Sequence, residues 1–199
     1  MEIVLISCPN HINGETDLIN NMFEFGLSTF HLRKPDYREE QLREFLKQID
    51  PVFLSRIKLH SDFGLLEQYS LGGIHIPVSM SVKSNILRLK RDKRISISSS
   101  FHSFYEVKEK NKYIDYAFLS PVFDSISKKN YKSGFDHNEL RMILQEVKIR
   151  IIALGGCKAE NLGHIKWLGF SGAAVLGAVW HSADPLSSYL EIKKTAEVL

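Results

Sequence analysis

The sequence predicts an α/β fold, a single-domain (β/α)8 barrel of the TIM type, and three observations carry that reading. Eight short apolar runs alternate with segments whose apolar residues recur at helical spacing, the connections between them are short, and the last two runs each end at glycine. Closure into a barrel is preferred over an open dinucleotide-binding sheet because no G-x-G-x-x-G follows the first run. The chain has 199 residues, at the short end of the roughly 200 to 250 that a barrel takes, so insertions must be few. No low-complexity or proline-rich segment divides it, and residues 1–199 are read as one domain.

In chain order, Ile3–Ser7 reads as the first strand, and Leu18, Ile19, Met22 and Phe23 give Asp17–Phe25 a helical period that Gly26 stops. Ser28–Arg33 is the second strand, Pro35-Asp36 a turn, and Tyr37–Ile49 a helix with its charges on the outer face. Arg56–His60 is the third strand, followed by a short helix over Phe63–Tyr69, and Gly73–Ile76 is the fourth. Val82–Arg91 is helical, Arg94–Ser98 is the fifth strand and Phe104–Lys110 the next helix. Asp115–Leu119 is the sixth strand, and a polar loop over Ser120–Gly134 precedes a helix over Asn138–Val147. Ile151–Leu154 and Gly172–Leu176 are strands seven and eight, and Pro185–Glu197 is the closing helix.

Composition narrows the class of function. The formal charge of +3 is modest, and the basic run Arg88, Lys90, Arg91, Lys93, Arg94 has no aromatic interleaving, so it reads as a solvated helix end and no nucleic-acid partner is expected. Two cysteines, Cys8 and Cys157, are too few for a disulfide framework and suit a reducing cytoplasm. The start Met1-Glu-Ile-Val-Leu-Ile-Ser lacks the basic residues of a signal peptide, and no apolar run approaches the roughly 18 residues that cross a bilayer. The expectation is a soluble cytoplasmic protein without a membrane partner.

A barrel carries its chemistry at the carboxyl ends of its strands. Gly155-Gly156 and Gly177 fall there, each followed by a helical segment whose free N–H groups and positive dipole end suit a phosphate. The other strand ends are polar. His31 and Arg33 share a face by the two-residue period, as do His60 and Asp62. Ser98 and Ser100 close strand five, and the sixth loop offers Ser125, Ser127, Lys128 and Lys129, hydroxyl and ammonium donors suited to a diphosphate.

These motifs, in this order and spacing, resemble thiamine-phosphate synthase and its TenI-type thiazole tautomerase relatives over nearly the whole chain. His31-Leu-Arg-Lys-Pro35 stands where the synthases have Q-x-R-E-K, and Gly73-Ile-His-Ile76 matches their G-I-H-I. Ser100-Phe-His-Ser103 resembles S-x-H-[ST], Asp115–Phe123 resembles D-Y-[IV]-x-x-G-P-[IV]-[FY], and Ser125-Ile-Ser-Lys128 resembles T-x-T-K. Leu154-Gly155-Gly156 and Gly172–Gly177 complete the set. The resemblance implies a thiamine-biosynthesis transferase that couples hydroxymethylpyrimidine diphosphate with thiazole phosphate, giving thiamine phosphate and diphosphate. Arg33, Ser100 and Lys128 would be catalytic, with Arg33, Ser125, Ser127 and Lys128 holding diphosphate. His31 and His60 would recognise the pyrimidine, while Gly155, Gly156, Leu176 and Gly177 would hold the thiazole's phosphate. It also implies Mg2+ as cofactor and allows a homodimer.

Several positions depart from the pattern. The family's lysine falls on Pro35, with Lys34 one place early; its magnesium-binding aspartates fall on Ser61 and Met80, with Asp62 beside the first; and the base proposed for the tautomerases falls on Pro121. Two other readings follow: a tautomerase on a phosphorylated thiazole, with His31, His60 or Asp62 as base, or a non-catalytic binder of thiamine phosphate or its precursors. His75, between two isoleucines, reads as a hydrogen-bonded core residue rather than a ligand. His31 with His60 would suit zinc, but no third ligand has a recognisable spacing. Cys157 reads as packing rather than as a reactive thiol.

Overall fold

The structure, a computed structural model, describes residues 1–77, 79, 92–109, 113–124 and 134–199. Eight parallel strands, β1 (Glu2–Ile6), β2 (Thr29–Leu32), β3 (Ile57–Leu59), β4 (Gly73–Ile76), β5 (Ser96–Phe101), β6 (Tyr116–Leu119), β7 (Arg150–Leu154) and β8 (Gly172–Val175), pair in sequence order. β8 returns beside β1 with Val4 opposite Ala174, so the barrel is closed. Outside it, among the described residues, run α1 (Glu15–Glu24), α2 (Glu39–Lys47), α3 (Leu65–Gln68), α4 (Phe104–Glu109), α5 (His137–Glu146), α6 (Leu162–Leu168), α7 (Gly177–Trp180) and α8 (Pro185–Glu197). None of these helices is long and apolar enough to cross a membrane.

The helix ends follow their sequence signals. Asp136 accepts from the backbone N–H groups of Asn138 and Glu139 at the start of α5, and Asp184 accepts from Ser187 N–H with Pro185 in the first turn of α8. Three short turns escape the periodicity argument: the 3-10 segments Pro51–Arg56 and Ala159–Asn161, and α7. Each is too short to show a helical repeat. The expected helix over Val82–Arg91 lies outside the described residues, as do residues 125–133 of the sixth loop.

The largest boundary correction is β5. It was expected over Arg94–Ser98 and instead runs from Ser96 to Phe101. Arg94 is held in the preceding turn by Asp92, whereas Ser96 to Ser99 pair with β4 and Ser98 to Phe101 with β6. The serines satisfy their hydroxyls within the sheet, Ser99 Oγ donating to Ile76 O at 2.8 Å. Pairing on both sides thus overrides a composition that reads as a turn.

Side chains facing outward from the strands, among them Leu5, Phe30, Leu59, Ile74 and Ala173, pack under the helices with Ile19, Met22, Phe23, Leu46 and Ile165. Those facing inward fall into two sectors. Val4, Ile6, Tyr116, Phe118, Ile152 and Ala174 make an apolar wall, with Leu154 and Leu176 packed against it. On the other sector the inward positions of β2 to β5 are polar, with His31 in register with Lys58 and His75 in register with Ser98.

The loops above β1 and β2 are tied to each other. Ser7 Oγ donates to Arg33 O at 2.9 Å and accepts from Arg33 N–H at 2.8 Å. Lys34 is buried, its Nζ paired with Glu15 and donating to Asn10 O at 2.8 Å. Burial raises the Glu15 carboxyl pKa, against the pull of Lys34 and of the Cys8 N–H. Lys34 therefore does not stand in for the lysine missing at Pro35; it secures the loop that carries Arg33. Removing one partner of such a pair leaves the other charge buried and alone, at about 3–5 kcal/mol. Lys34→Met should lower unfolding free energy by about that amount in urea denaturation, and the double change Lys34→Met with Glu15→Leu should lose less than the single one.

Candidate active site

At the carboxyl end of the barrel a cavity of about 690 Å³ is lined by Arg33, His60, His75, Ser100, His102, Glu106 and Phe118, among others. A second cavity of about 420 Å³ adjoins it, sharing Arg33 and His60 and adding Lys34, Ser61 and Asp62. Arg33 is exposed, and its guanidinium has no partner among the described residues. It is thus available to an anion in either cavity.

Below the rim the polar sector forms two hydrogen-bonded groups, which meet where His60 stacks on His75. His31, fully buried, reaches Tyr116 Oη with Nε2 at 2.6 Å and His60 Nε2 with Nδ1 at 2.9 Å. His75 meets Ser98 Oγ with Nδ1 at 2.9 Å and Ser100 Oγ with Nε2 at 3.0 Å. Ser98 stands opposite Tyr116 in the register of β5 and β6. Burial, reinforced by neighbouring imidazoles, holds the His31 pKa far below its usual value, and burial with the Arg33 charge brings His75 down to about 3. His60 is lowered by burial, then by His75 and Arg33. All three rings are neutral at neutral pH.

His75 is the buried, hydrogen-bonded residue the sequence suggested, and it also supplies the third imidazole whose spacing was not recognisable, since donor atoms of His31, His60 and His75 lie within 4.8 Å of one another. The rings nevertheless do not converge on an ion. His60 and His75 stack 19° from parallel with centroids 4.3 Å apart, and a metal bound at about 2.0–2.1 Å must lie in the plane of each ring it binds. His31 Nδ1 and His60 Nε2 face each other as a hydrogen bond.

The glycine pair at the end of β7 has a different immediate cause from the one expected. Gly155 and Gly156 have φ of +96° and +66°, and a Cβ at Gly156 would sit 2.5 Å from Asp124 O, one at Gly155 2.8 Å from Pro121 Cα. What the missing side chains admit is therefore the chain's own segment after β6, bound by Val122 N–H to Leu154 O at 3.0 Å and Phe123 N–H to Gly155 O at 3.1 Å. The helix expected directly after the pair is delayed by the Ala159–Asn161 turn. After β8, Leu176 lies at the rim and Gly177 opens α7, whose first N–H groups have no partner within the turn. Trp180 Nε1 donates to Ile6 O at 2.7 Å and fixes that turn over β1.

The sequence profile of thiamine monophosphate synthases matches residues 3–179. The chain belongs to the thiamine monophosphate synthase family. A crystal structure of thiamine phosphate pyrophosphorylase from Bacteroides thetaiotaomicron superposes with a TM-score of 0.83 at 31% identity, covering 100% of this chain and 98% of that one. Thiamine-phosphate synthase from Mannheimia succiniciproducens is 26% identical over 190 residues, 87% of this chain and 86% of its own. The thiamine-phosphate synthase of Vibrio campbellii is 34% identical over 79 residues, so that alignment spans only 39% of each chain.

Against the thiamine monophosphate synthase family pattern, Arg33, His60 and Ser100 line the cavity, and His31 reaches it through His60. Ser125, Ser127 and Lys128, with Lys129, lie outside the described residues, as does Met80. Asp62 does not continue the alternation of β3, which ends at Leu59; its φ of +50° turns the chain, and it faces the smaller cavity. Cys157 is buried and burial pushes its thiol up to about 12, which fits packing. Tyr116 and Glu106 were given no role by sequence reasoning, and Ser98 was noted only as a polar residue closing strand five, although Tyr116 and Phe118 alternate on strand six as inward positions must.

Magnesium takes oxygen ligands, in such sites one or two carboxylates plus substrate phosphates. Of the residues lining the two cavities, Glu106 and Asp62 bring carboxylates, and Glu106 Oε2 already accepts the His102 N–H at 2.6 Å. The undescribed stretches contain no Asp or Glu. This donor set does not fit the family's two-aspartate magnesium site.

Gly156→Ala forces a side chain into a left-handed backbone and onto Asp124 O. A loss of about 1–3 kcal/mol in thermal or urea unfolding is expected; an unchanged midpoint would show that residues 121–124 move away freely.

Proposed function

We propose that this chain is a thiamine-phosphate synthase, joining hydroxymethylpyrimidine diphosphate to thiazole phosphate with release of diphosphate. The observation that carries the reading is the Arg33 guanidinium, without a partner among the described residues, at a mouth cavity walled by His60, His75 and Ser100, in a chain whose family profile runs over residues 3–179. The cavity is within the usual range for a small-molecule site of about 300–1,000 Å³. Arg33 would bind the diphosphate, with Lys128, Ser125 and Ser127 completing the anion site and Ser100 at the reacting end. His60, backed by His31, would read the pyrimidine. Gly155, Gly156, Leu176 and Gly177 would receive the thiazole's phosphate through backbone N–H groups. The tautomerase reading is weaker because Pro121 stands where that activity has its base.

Charge on the departing diphosphate would then rest mainly on Arg33 and the loop lysines, since Ser61 and Met80 replace the family's two magnesium aspartates. Turnover of the two phosphorylated precursors should give thiamine phosphate, with a shallow magnesium dependence. No product under any divalent-ion condition would reject the synthase. Lys128→Ala should weaken diphosphate binding by about 1–3 kcal/mol in calorimetry, more than Lys129→Ala; equal affinities would remove this loop from the anion site. Crystals soaked in phosphate should carry an ion between Gly155-Gly156 and Gly177, and an empty position there would count against the second phosphate site.

A further inference from the structure

The segment that closes β5 carries an imidazole that the anion and pyrimidine sites leave unused. His102 follows Ser100 by two residues and lines the same cavity, as the alternation of the strand requires. It is held at two points. Its backbone N–H donates to Glu106 Oε2 at 2.6 Å, in a turn where Ser103 Oγ accepts the Glu106 N–H at 3.2 Å. Its ring Nδ1 lies 2.9 Å from Ser120 O at the end of β6, and Ser120 N–H in turn donates to Phe101 O at 3.0 Å. A carbonyl oxygen only accepts, so the proton in the ring contact belongs to Nδ1 whether the imidazole is neutral or charged. Nε2 is therefore the atom on which a proton comes and goes, and it has no partner among the described residues. His60 and His75 are buried and neutral, whereas His102 is exposed, so water can replace a proton that it gives away.

We propose that His102 is a further catalytic residue of the synthase reaction, the general acid whose Nε2–H goes to the diphosphate as it leaves. This role rests on the synthase reading. The bond from the pyrimidine's methylene carbon to the diphosphate oxygen breaks with its electron pair on that oxygen, while the thiazole nitrogen supplies the pair for the new C–N bond. The Nε2 proton passes to the diphosphate, the ring is left neutral with Nδ1–H still on Ser120 O, and water returns the proton for the next turnover. No ring flip is needed between the two states, because the Ser120 carbonyl holds the same proton in both. The transfer relieves charge in a site where Ser61 and Met80 replace the magnesium aspartates. Four other titratable groups line this cavity: Arg33, which stays cationic, His60 and His75, which burial keeps neutral, and the Glu106 carboxyl.

The test is the pH dependence of kcat/KM with hydroxymethylpyrimidine diphosphate and thiazole phosphate, in wild type and His102→Asn. An asparagine amide reaches about as far as Nδ1, so it keeps a donor for Ser120 O and removes the group that exchanges a proton. Wild-type kcat/KM should fall as pH rises through the range in which imidazoles lose their charge, about pH 5 to 8. His102→Asn should lower it by about 10²-fold or more and flatten that limb, with the urea midpoint of unfolding unchanged. His102→Gln, an amide at the place of Nε2, should flatten it too, while Glu106→Gln should keep it. A wild type without the limb overturns the role before any variant is made. So does a limb that survives in His102→Asn or His102→Gln, which is what a histidine that only ties β5 to β6 predicts, or one lost in Glu106→Gln alone, which assigns it to the carboxylate. A wild type that forms no thiamine phosphate rejects the synthase and this role together, whereas product formed at a rate indifferent to His102 rejects the role and leaves the synthase standing.

Discussion

A buried imidazole has two nitrogens to satisfy, and the interior of this barrel is arranged around that requirement. His31 cannot reach water; its partners have to come from the strands beside and across from it. Tyr116 arrives from the far wall and His60 from the neighbouring strand, while Ser98 and Ser100 hold the two nitrogens of His75. Each of these contacts is available only when the strands hold a closed register, with Ser98 opposite both His75 and Tyr116. Slipping one strand by a residue would turn its polar side chain toward the helices and strand the others. The polar sector therefore works as a check on register, complementing the apolar wall of Val4, Ile6, Phe118 and Ile152, which could tolerate more rearrangement.

The same satisfaction rule explains why a metal reading fails here although three histidines meet. Proximity of nitrogen atoms is only part of coordination; the lone pairs must point to one place. In this site they point at one another and at hydroxyls, and the stacked pair His60 and His75 shares a face rather than an edge. Neutrality of the rings at neutral pH, enforced by burial, leaves Arg33 as the exposed cation of the mouth among the described residues.

Most of the barrel was legible because a parallel strand buried on both faces reads as an apolar run, as Ile3-Val-Leu-Ile6 and Ile151-Ile-Ala-Leu154 do. β5 was misplaced because Ser98, Ser99 and Ser100 are strand residues only by virtue of β4 and β6 on either side. At the site, His31 and Arg33 could be put on one face from the two-residue period alone. Asp62 could not, since alternation ends with the strand and its left-handed turn is invisible in composition. The meeting of His31 with His75 and Tyr116 spans three strands, and no local spacing encodes it. Family resemblance supplied residue roles that periodicity could not, but it also set Lys34 beside the family's lysine position, where the structure has an internal ion pair with Glu15.

The backbone contact between residues 121–124 and the glycine pair has a bearing on how this chain can evolve. Because Phe123 and Asp124 occupy the space that side chains at position 156 would need, the two segments cannot drift independently. A lineage that lost the glycines would first have to shorten or redirect the loop after β6, the loop that leads into Ser125, Ser127 and Lys128. Two stretches that sequence treats as separate anion-binding motifs are, in heredity, one unit: a change acceptable in either is conditional on the other.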